Sequence, residues 1–266
     1  MNVIKLTNAP NTRDLGGMPT ADGRHIAHNR LIRSGALNKI TNEDYQLLLD
    51  KYNLVTVVDM RTDAEIQSSP DKIDQRVSFF HNPILDRRTL GVTFDKATDM
   101  FSMLVAGAEL LRENNATSSQ YMVANYTKFV QNEFCLNAFH NFLKILLGTP
   151  NGAVLWHCTA GKDRAGTSAM LLEMLLGVDR QVAVKDYLDS NICYQQFNEY
   201  MLKRLQEQGA DSFAIEQAEG FLIVKQQYID IVLSEIDKAG GIENFAKSKL
   251  KLTDDDIQQL RQLYLD

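Results

Sequence analysis

No stretch of this chain is long and apolar enough to cross a bilayer; the most apolar segment, in the second half, is interrupted by Glu173. Cysteine is scarce: Cys135, Cys158 and Cys193 are odd in number, widely spaced and never at metal-ligand spacing. That argues against a disulfide framework and a cysteine-based zinc site and fits a reducing compartment. Basic residues are outnumbered, 28 against 34 acidic ones for a net charge of −6, and form no block, so nucleic acid is not an expected partner. The first residues lack the basic start and apolar core of a signal peptide, so the expected location is cytoplasmic, or secreted if a signal has been removed. Repeats and low-complexity segments are missing, and the five prolines are scattered as turn punctuation. One domain over residues 1–266 is the economical organisation, and at 44 % hydrophobic it can bury a sizeable core.

What is present alternates between strand and helix patterns. DLGGMPTADGRHI carries Gly-Gly and Asp-Gly turn signals of a small hairpin, with LIRSG after it. TNEDYQLLLDKY opens on Thr41 with acidic residues in its first turn and places Leu47, Leu48 and Tyr52 on one side, as a capped amphipathic helix does. LVTVVDM is β-branched and apolar up to Asp59, as a strand buried on both faces reads; RVSFFHNPI and GAVLWHC are two more short strands. Helical spacing runs from about Tyr121 to Leu147 and again through almost everything after Cys158. The expected fold is α/β, a central mostly parallel sheet flanked by helices with a helical C-terminal half.

Chemistry concentrates in AVLWHCTAGKDRAGTS, residues 153–168. A buried strand ending at His157 and a helix beginning near Arg164 leave Cys158 to Arg164 as a loop whose amides and helix dipole favour an anion such as phosphate, sulfate or vanadate. The same field favours the thiolate of Cys158 over its thiol, and Arg164 can fork two donors onto phosphate oxygens. Thr159, Ala160, Gly161, Lys162, Ala165 and Gly166 would then contact the bound group. A buried inert cysteine at a strand end is the plain alternative.

His157, Cys158, Gly161 and Arg164 in the pattern H-C-x-x-G-x-x-R resemble the signature of the cysteine-dependent tyrosine and dual-specificity phosphatases. With NTRDLGG at 11–17, RSGAL at 33–37, VVDMRTDAE at 57–65 and DYLDSN at 186–191, the chain resembles the bacterial tyrosine phosphatase family whose members also hydrolyse phosphoinositides. The resemblance implies a tyrosine phosphatase-like fold, no metal, a covalent phosphocysteine intermediate, and a phosphorylated protein or phosphoinositide as partner. It also implies a helical lid over roughly residues 191–220. Lys162 would serve a second phosphate or a lipid headgroup; a solvated loop lysine is the plain reading. Many members carry Ser or Thr directly after the arginine, where the hydroxyl assists cysteine as leaving group. Here Ala165 takes that place, with Thr167 and Ser168 turned into the following helix, so a slow second step and a burst are expected.

The leaving group needs a proton, and three aspartates compete to supply it. Asp163 lies in the loop and is favoured by the resemblance. Asp59 matches the D-x-R aspartate and would otherwise pair with Arg61. Asp86 stands on a loop after a strand, where a mobile acid or a solvated turn residue would sit. His157 reads as a loop-orienting donor, Trp156 as core, and Arg13 and Asp14 as either a mutual pair or cleft lining. Phe197, Tyr200 and Phe213 form an apolar stripe that suits a groove or, more commonly, a core. The main functional expectation is a phosphomonoesterase acting on phosphotyrosine, with phosphoserine, phosphothreonine and phosphoinositides as further substrates. A primarily phosphoinositide-directed phosphatase, a phosphate-binding module without turnover, and a thiol redox enzyme using Cys135 or Cys193 as resolving thiol are the alternatives.

Overall fold

In the computed structural model, which describes residues 1–86 and 100–266, six strands form one sheet in the order β1-β2-β3-β6-β4-β5. These are β1 (Asn2–Val3), β2 (Arg13–Asp14), β3 (Leu31–Ser34), β4 (Leu54–Asp59), β5 (Ser78–His81) and β6 (Ala153–His157). The four strands β3-β6-β4-β5 are parallel, and β1 and β2 add an antiparallel edge. The expected hairpin after Asp14 is present as a short antiparallel pairing around Pro19 and His25, with Gly17 N donating to Ile26 O, Ile26 N to Met18 O and Thr20 N to Arg24 O at 2.7, 3.0 and 2.9 Å.

The central strands are buried on both faces, and alternation sorts their side chains into two cores. Ile32, Val57 and Leu155 face α1 (Asn42–Asp50), whose Tyr45 and Leu48 close that side. A capping box between Thr41 and Asp44 starts α1, as its sequence predicts. Leu31, Val58, Val154 and Trp156 face the larger core, filled by α4 (Ser118–Gln131), α5 (Glu133–Leu147), α6 (Arg164–Leu176), α10 (Gln226–Lys238) and α12 (Asp254–Tyr264). Trp156 belongs to that core, its ring 5.2 Å from Phe142 and its Nε1 donating to Ala165 O at 3.0 Å. Gly177, at φ +95°, terminates α6 in the left-handed conformation that glycine accepts without strain.

Beyond α7 (Arg180–Leu188), segment 191–220 is helical, as α8 (Ser190–Glu207) and most of α9 (Ser212–Leu222). With α3 (Met100–Glu113) these helices share a small core of their own, Leu104, Met201, Leu205, Ala218 and Leu222. Phe197 packs against this core, Phe213 lies under the Arg112 guanidinium, and Tyr200 is 58 % exposed. The supposed aromatic stripe is therefore split between core and surface. α2 (Asp63–Ser68) and α11 (Ile242–Ser248) complete the named helices. Among the described residues no helix is long and apolar enough to cross a membrane.

Candidate active site

β6 carries His157 to the C-terminal end of the sheet and α6 starts at Arg164, so Cys158–Asp163 is the connecting loop. Its shape is imposed from outside. Thr159 O accepts from the Ala36 amide at 3.1 Å, Ala160 O from Asn11 Nδ2 at 3.2 Å, and Gly161 O from Asn11 Nδ2 at 3.0 Å and Arg33 Nη2 at 2.8 Å. The peptide bonds of the described residues are trans, and in a trans peptide the carbonyl and the next N–H point in opposite directions. Drawing three successive carbonyls into the fold therefore turns the amides of Ala160, Gly161 and Lys162 into the hollow of the loop, an arrangement that binds anions. Gly161 is at φ +66°, and a Cβ there would lie 2.2 Å from Ser34 O. Only glycine fits. A Cβ on Gly166 would lie 2.6 Å from Arg33 Nη2, so the first turn of α6 is open to that guanidinium.

Beneath the loop lies a buried charge cluster. Arg33 Nη1 donates to Asp186 Oδ2 at 2.6 Å, Arg13 Nη1 lies 3.5 Å from Asp186 Oδ1, and both guanidinium groups donate to Ser190 Oγ, at 3.2 and 3.3 Å. Glu173 is fully buried, and no donor from another residue reaches either of its carboxyl oxygens. Burial, with the Asp186 carboxylate beside it, pushes Glu173 far above the usual carboxylate range, so it stays protonated. Two guanidinium groups then face one carboxylate, which leaves a positive charge under an anion-binding loop. Arg13 and Asp14 do not pair with each other: Arg13 joins this cluster, while Asp14 accepts from the Gly16 and Asn29 amides on the other side of β2.

Cys158, 2 % exposed, opens the loop, and Arg164 closes it. The Arg164 guanidinium forms a two-bond fork with Glu65, Nη1 to Oε2 at 2.7 Å and Nη2 to Oε1 at 2.8 Å. Glu65 is the third residue of α2, where its carboxylate also accepts the Thr62 amide in a capping box and the Thr159 hydroxyl. Against burial, the Arg164 charge and these hydrogen bonds hold Glu65 well below the usual carboxylate range. Two of the five Arg164 donors are thus committed to orientation, and Nη1 and Nη2 make longer second contacts with Met60 O at 3.5 Å and Thr159 Oγ1 at 3.4 Å, which a bound anion would compete for.

The three aspartates part company here. Asp163 takes the N-cap position of α6 without capping it; its Oδ1 accepts the Tyr126 hydroxyl at 2.9 Å. Asp59 accepts three hydrogen bonds from the Arg61 side chain and one from its amide. Against burial, the His157 and Arg61 charges keep its carboxyl below the ordinary value. It thus pairs with Arg61, as its sequence position allowed. Asp86 lies near Cys135, where burial first and the Asp86 charge second push that thiol up to about 12. Cys193, intermediate in exposure, lies 3.6 Å from Met1 Sδ, and burial raises its thiol as well.

His157 is buried with Nδ1 3.2 Å from Cys158 O and Nε2 3.0 Å from Asp71 Oδ2, which fits an orienting role. Asp59, Asp71 and His157 are close enough to share a metal ion, but Arg61 Nη2 already donates to both carboxylates, at 2.6 and 2.9 Å, and supplies the cation. Lys162 is not a solvated lysine: it is 7 % exposed, and its Nζ donates to Phe221 O on α9 at 2.5 Å. Burial lowers its pKa against the pull of Asp163 and Cys158. Ser168 Oγ bonds back to Arg164 O within the helix, and Thr167 Oγ1 is buried without a partner. Sequence reasoning assigned no role to Asn11, Arg33, Glu65, Tyr126, Asp186 or Ser190. All but Tyr126 lie in the four outlying segments that carry the family resemblance, and that was the available signal.

The sequence model of the tyrosine phosphatase family matches residues 4–266. A Cupriavidus necator protein named as a tyrosine-protein phosphatase is 30 % identical over 96 % of this chain and 85 % of its own length. The triple specificity protein phosphatase PtpB of Mycobacterium tuberculosis is 26 % identical over 91 % of each chain. A tyrosine-protein phosphatase of Nostoc commune is 26 % identical over 64 % of this chain and 51 % of its own.

Proposed function

The chain belongs to the tyrosine phosphatase family, and from that premise we propose that it hydrolyses phosphotyrosine through a phosphocysteine intermediate. The observation that carries the reading is the loop between Cys158 and Arg164, with three carbonyls drawn outward and a guanidinium clamped at its rim. A phosphoryl group seated there meets inward amides on one side and Arg164 on the other. Cys158 Sγ, as thiolate, attacks phosphorus; the bond from phosphorus to the leaving oxygen breaks, and Asp163 gives that oxygen its proton. Water then attacks the phosphocysteine, Asp163 takes the water's proton, and the thiolate departs with its electron pair. Asp163 is favoured over Asp59, which is locked on Arg61, and over Asp86, which lies near Cys135. A single domain over residues 1–266, with α8 and α9 as a lid, completes the reading.

A phosphoinositide is the second reading, favoured by the buried side chain of Lys162 in the loop itself. Phosphoserine and phosphothreonine come within reach by analogy with the relative named for triple specificity. The test compares wild type with Cys158→Ser on a phosphotyrosine peptide and on soluble phosphoinositides, with chelator present. Metal-independent turnover lost in the variant supports the thiolate mechanism, and the ratio of the two rates decides between protein and lipid. Tight vanadate binding without turnover on either would overturn the enzyme reading in favour of a phosphate-binding module.

A further inference from the structure

Asp163 occupies the N-cap of α6, yet its carboxylate does not do what a capping aspartate does. Such a side chain ordinarily accepts from the second or third amide of its helix. Here that bond is missing, and Oδ1 accepts the phenol of Tyr126 at 2.9 Å. Tyr126 is in turn 2.7 Å from the phenol of Tyr187. The two phenols come from different helices, α4 and α7, and both residues are fully buried.

The direction of this chain is fixed by counting protons. A phenol has one, and that of Tyr126 goes to Asp163, so the bond between the tyrosines is donated by Tyr187. The Tyr187 proton therefore points at the Tyr126 oxygen and the Tyr126 proton at the aspartate. The rings cannot swing away, because Tyr126 packs against Phe129, Tyr228 and Tyr187 with centroids 5.0, 5.6 and 6.3 Å apart. Two consequences follow for the carboxyl group. Oδ1 is permanently occupied as an acceptor, so when Asp163 is protonated the proton rides on Oδ2. The N-terminal amides of α6, released from capping, stay available to the bound phosphoryl group.

We propose that Tyr126, backed by Tyr187, is a positioning residue for the proton-transfer step: it holds Asp163 off its own helix and presents Oδ2 to the leaving oxygen. The proposal rests on Asp163 being the general acid. Without the phenol, the carboxylate is free to fall back onto the α6 amides, capping the helix and competing with the substrate phosphate.

Tyr126→Phe keeps the ring and removes only the oxygen. The readout is the single-turnover rate of leaving-group release, which a slow second step cannot mask, measured with a poor leaving group (phenyl phosphate) and a good one (2,4-dinitrophenyl phosphate). A misplacement of about 1 Å costs on the order of 100-fold. The expected result is a fall of about 10- to 100-fold for phenyl phosphate and less than about threefold for the dinitrophenyl ester, with Tyr187→Phe showing a smaller loss in the same sense. Asp163→Asn should show the same split more strongly, and Asp163→Asn with Tyr126→Phe should be no worse than Asp163→Asn alone. Equal losses on both esters, or additive losses in the double variant, would overturn the role of Tyr126. If Asp163→Asn itself shows no split, the general-acid assignment fails and this inference fails with it. If Tyr126→Phe does not fold, Tyr187→Phe, which leaves the bond to Asp163 in place, decides by the same two-ester comparison.

Discussion

Replacing Gly161 with alanine tests whether the anion site is made by backbone shape. The added Cβ would sit 2.2 Å from Ser34 O and 2.4 Å from Ser34 C, where ordinary contact begins near 3.4 Å. Loop and β3 must separate by about 1 Å, enough on general grounds to cost on the order of 100-fold in a positioned site. The left-handed φ of +66° adds about 1–2 kcal/mol for a residue with a Cβ, and relieving an overpacked contact adds about 1–3 kcal/mol. The variant should therefore lose about 2–5 kcal/mol in urea unfolding, and its vanadate affinity should fall by about 100-fold in calorimetry. Gly23→Ala is the control. Its φ is +87°, but a Cβ there meets nothing within 4 Å, so it should carry only the backbone cost and bind vanadate as wild type does. If Gly161→Ala binds vanadate within about threefold of wild type, the amides are not held by the register of this loop against Ser34, and the geometric account of the site is wrong.

Glu65→Gln leaves one carbonyl oxygen where Arg164 now has two acceptors, and turns an amide toward a guanidinium. A charge-assisted bond contributes about 1.5–3 kcal/mol, so vanadate affinity should drop by about 10- to 100-fold; an unchanged Kd would show that Arg164 does not need the clamp. Ala165→Ser restores a hydroxyl beside Arg164, and the pre-steady-state burst expected of the wild type should shrink or vanish in stopped-flow. A wild type without a burst would refute that account of Ala165. Glu173, with its folded pKa raised, contributes most below the usual carboxylate range and loses stability as pH rises from there toward its folded value. Each such pH unit costs wild type about 1.4 kcal/mol that Glu173→Gln does not lose. Urea midpoints at pH 5, 6 and 7 should therefore diverge in favour of the variant, and parallel profiles would mean that Glu173 is ionised.

The parts legible in the sequence are those whose cause is local. Thr41 with Asp44, the apolar run of β4 and the strand–loop–helix around Cys158 each show their pattern within a dozen residues, and each stands where that pattern places it. The parts that escaped are contacts between distant positions. Asn11 reaches Gly161 across 150 residues, Arg33 across 128, and Arg164 meets Glu65 across 99. No periodicity marks such pairs, because each side chain is polar in a segment too short to have a period. Tyr126 is hidden differently. It sits at a core position of an amphipathic helix, where any large apolar residue satisfies the pattern, and only its hydroxyl distinguishes it. Asp59 was ambiguous for the same reason, since a buried aspartate at a strand end reads alike as acid or as ion-pair partner until the position of Arg61 is known.

The outward pull on the loop carbonyls bears on how this site could be moved or rebuilt. The nine residues His157–Ala165 minus their surroundings contain the nucleophile and the guanidinium, but not the forces that aim the amides, which come from Asn11, Ala36 and Arg33. Grafted onto another strand–helix junction, the peptide would carry the reactive groups and none of the curvature. A transplant that works has to bring the end of β3 and the asparagine before β2 with it, and the minimal unit of this chemistry is a three-segment knot in which two segments donate to the backbone carbonyls of the third.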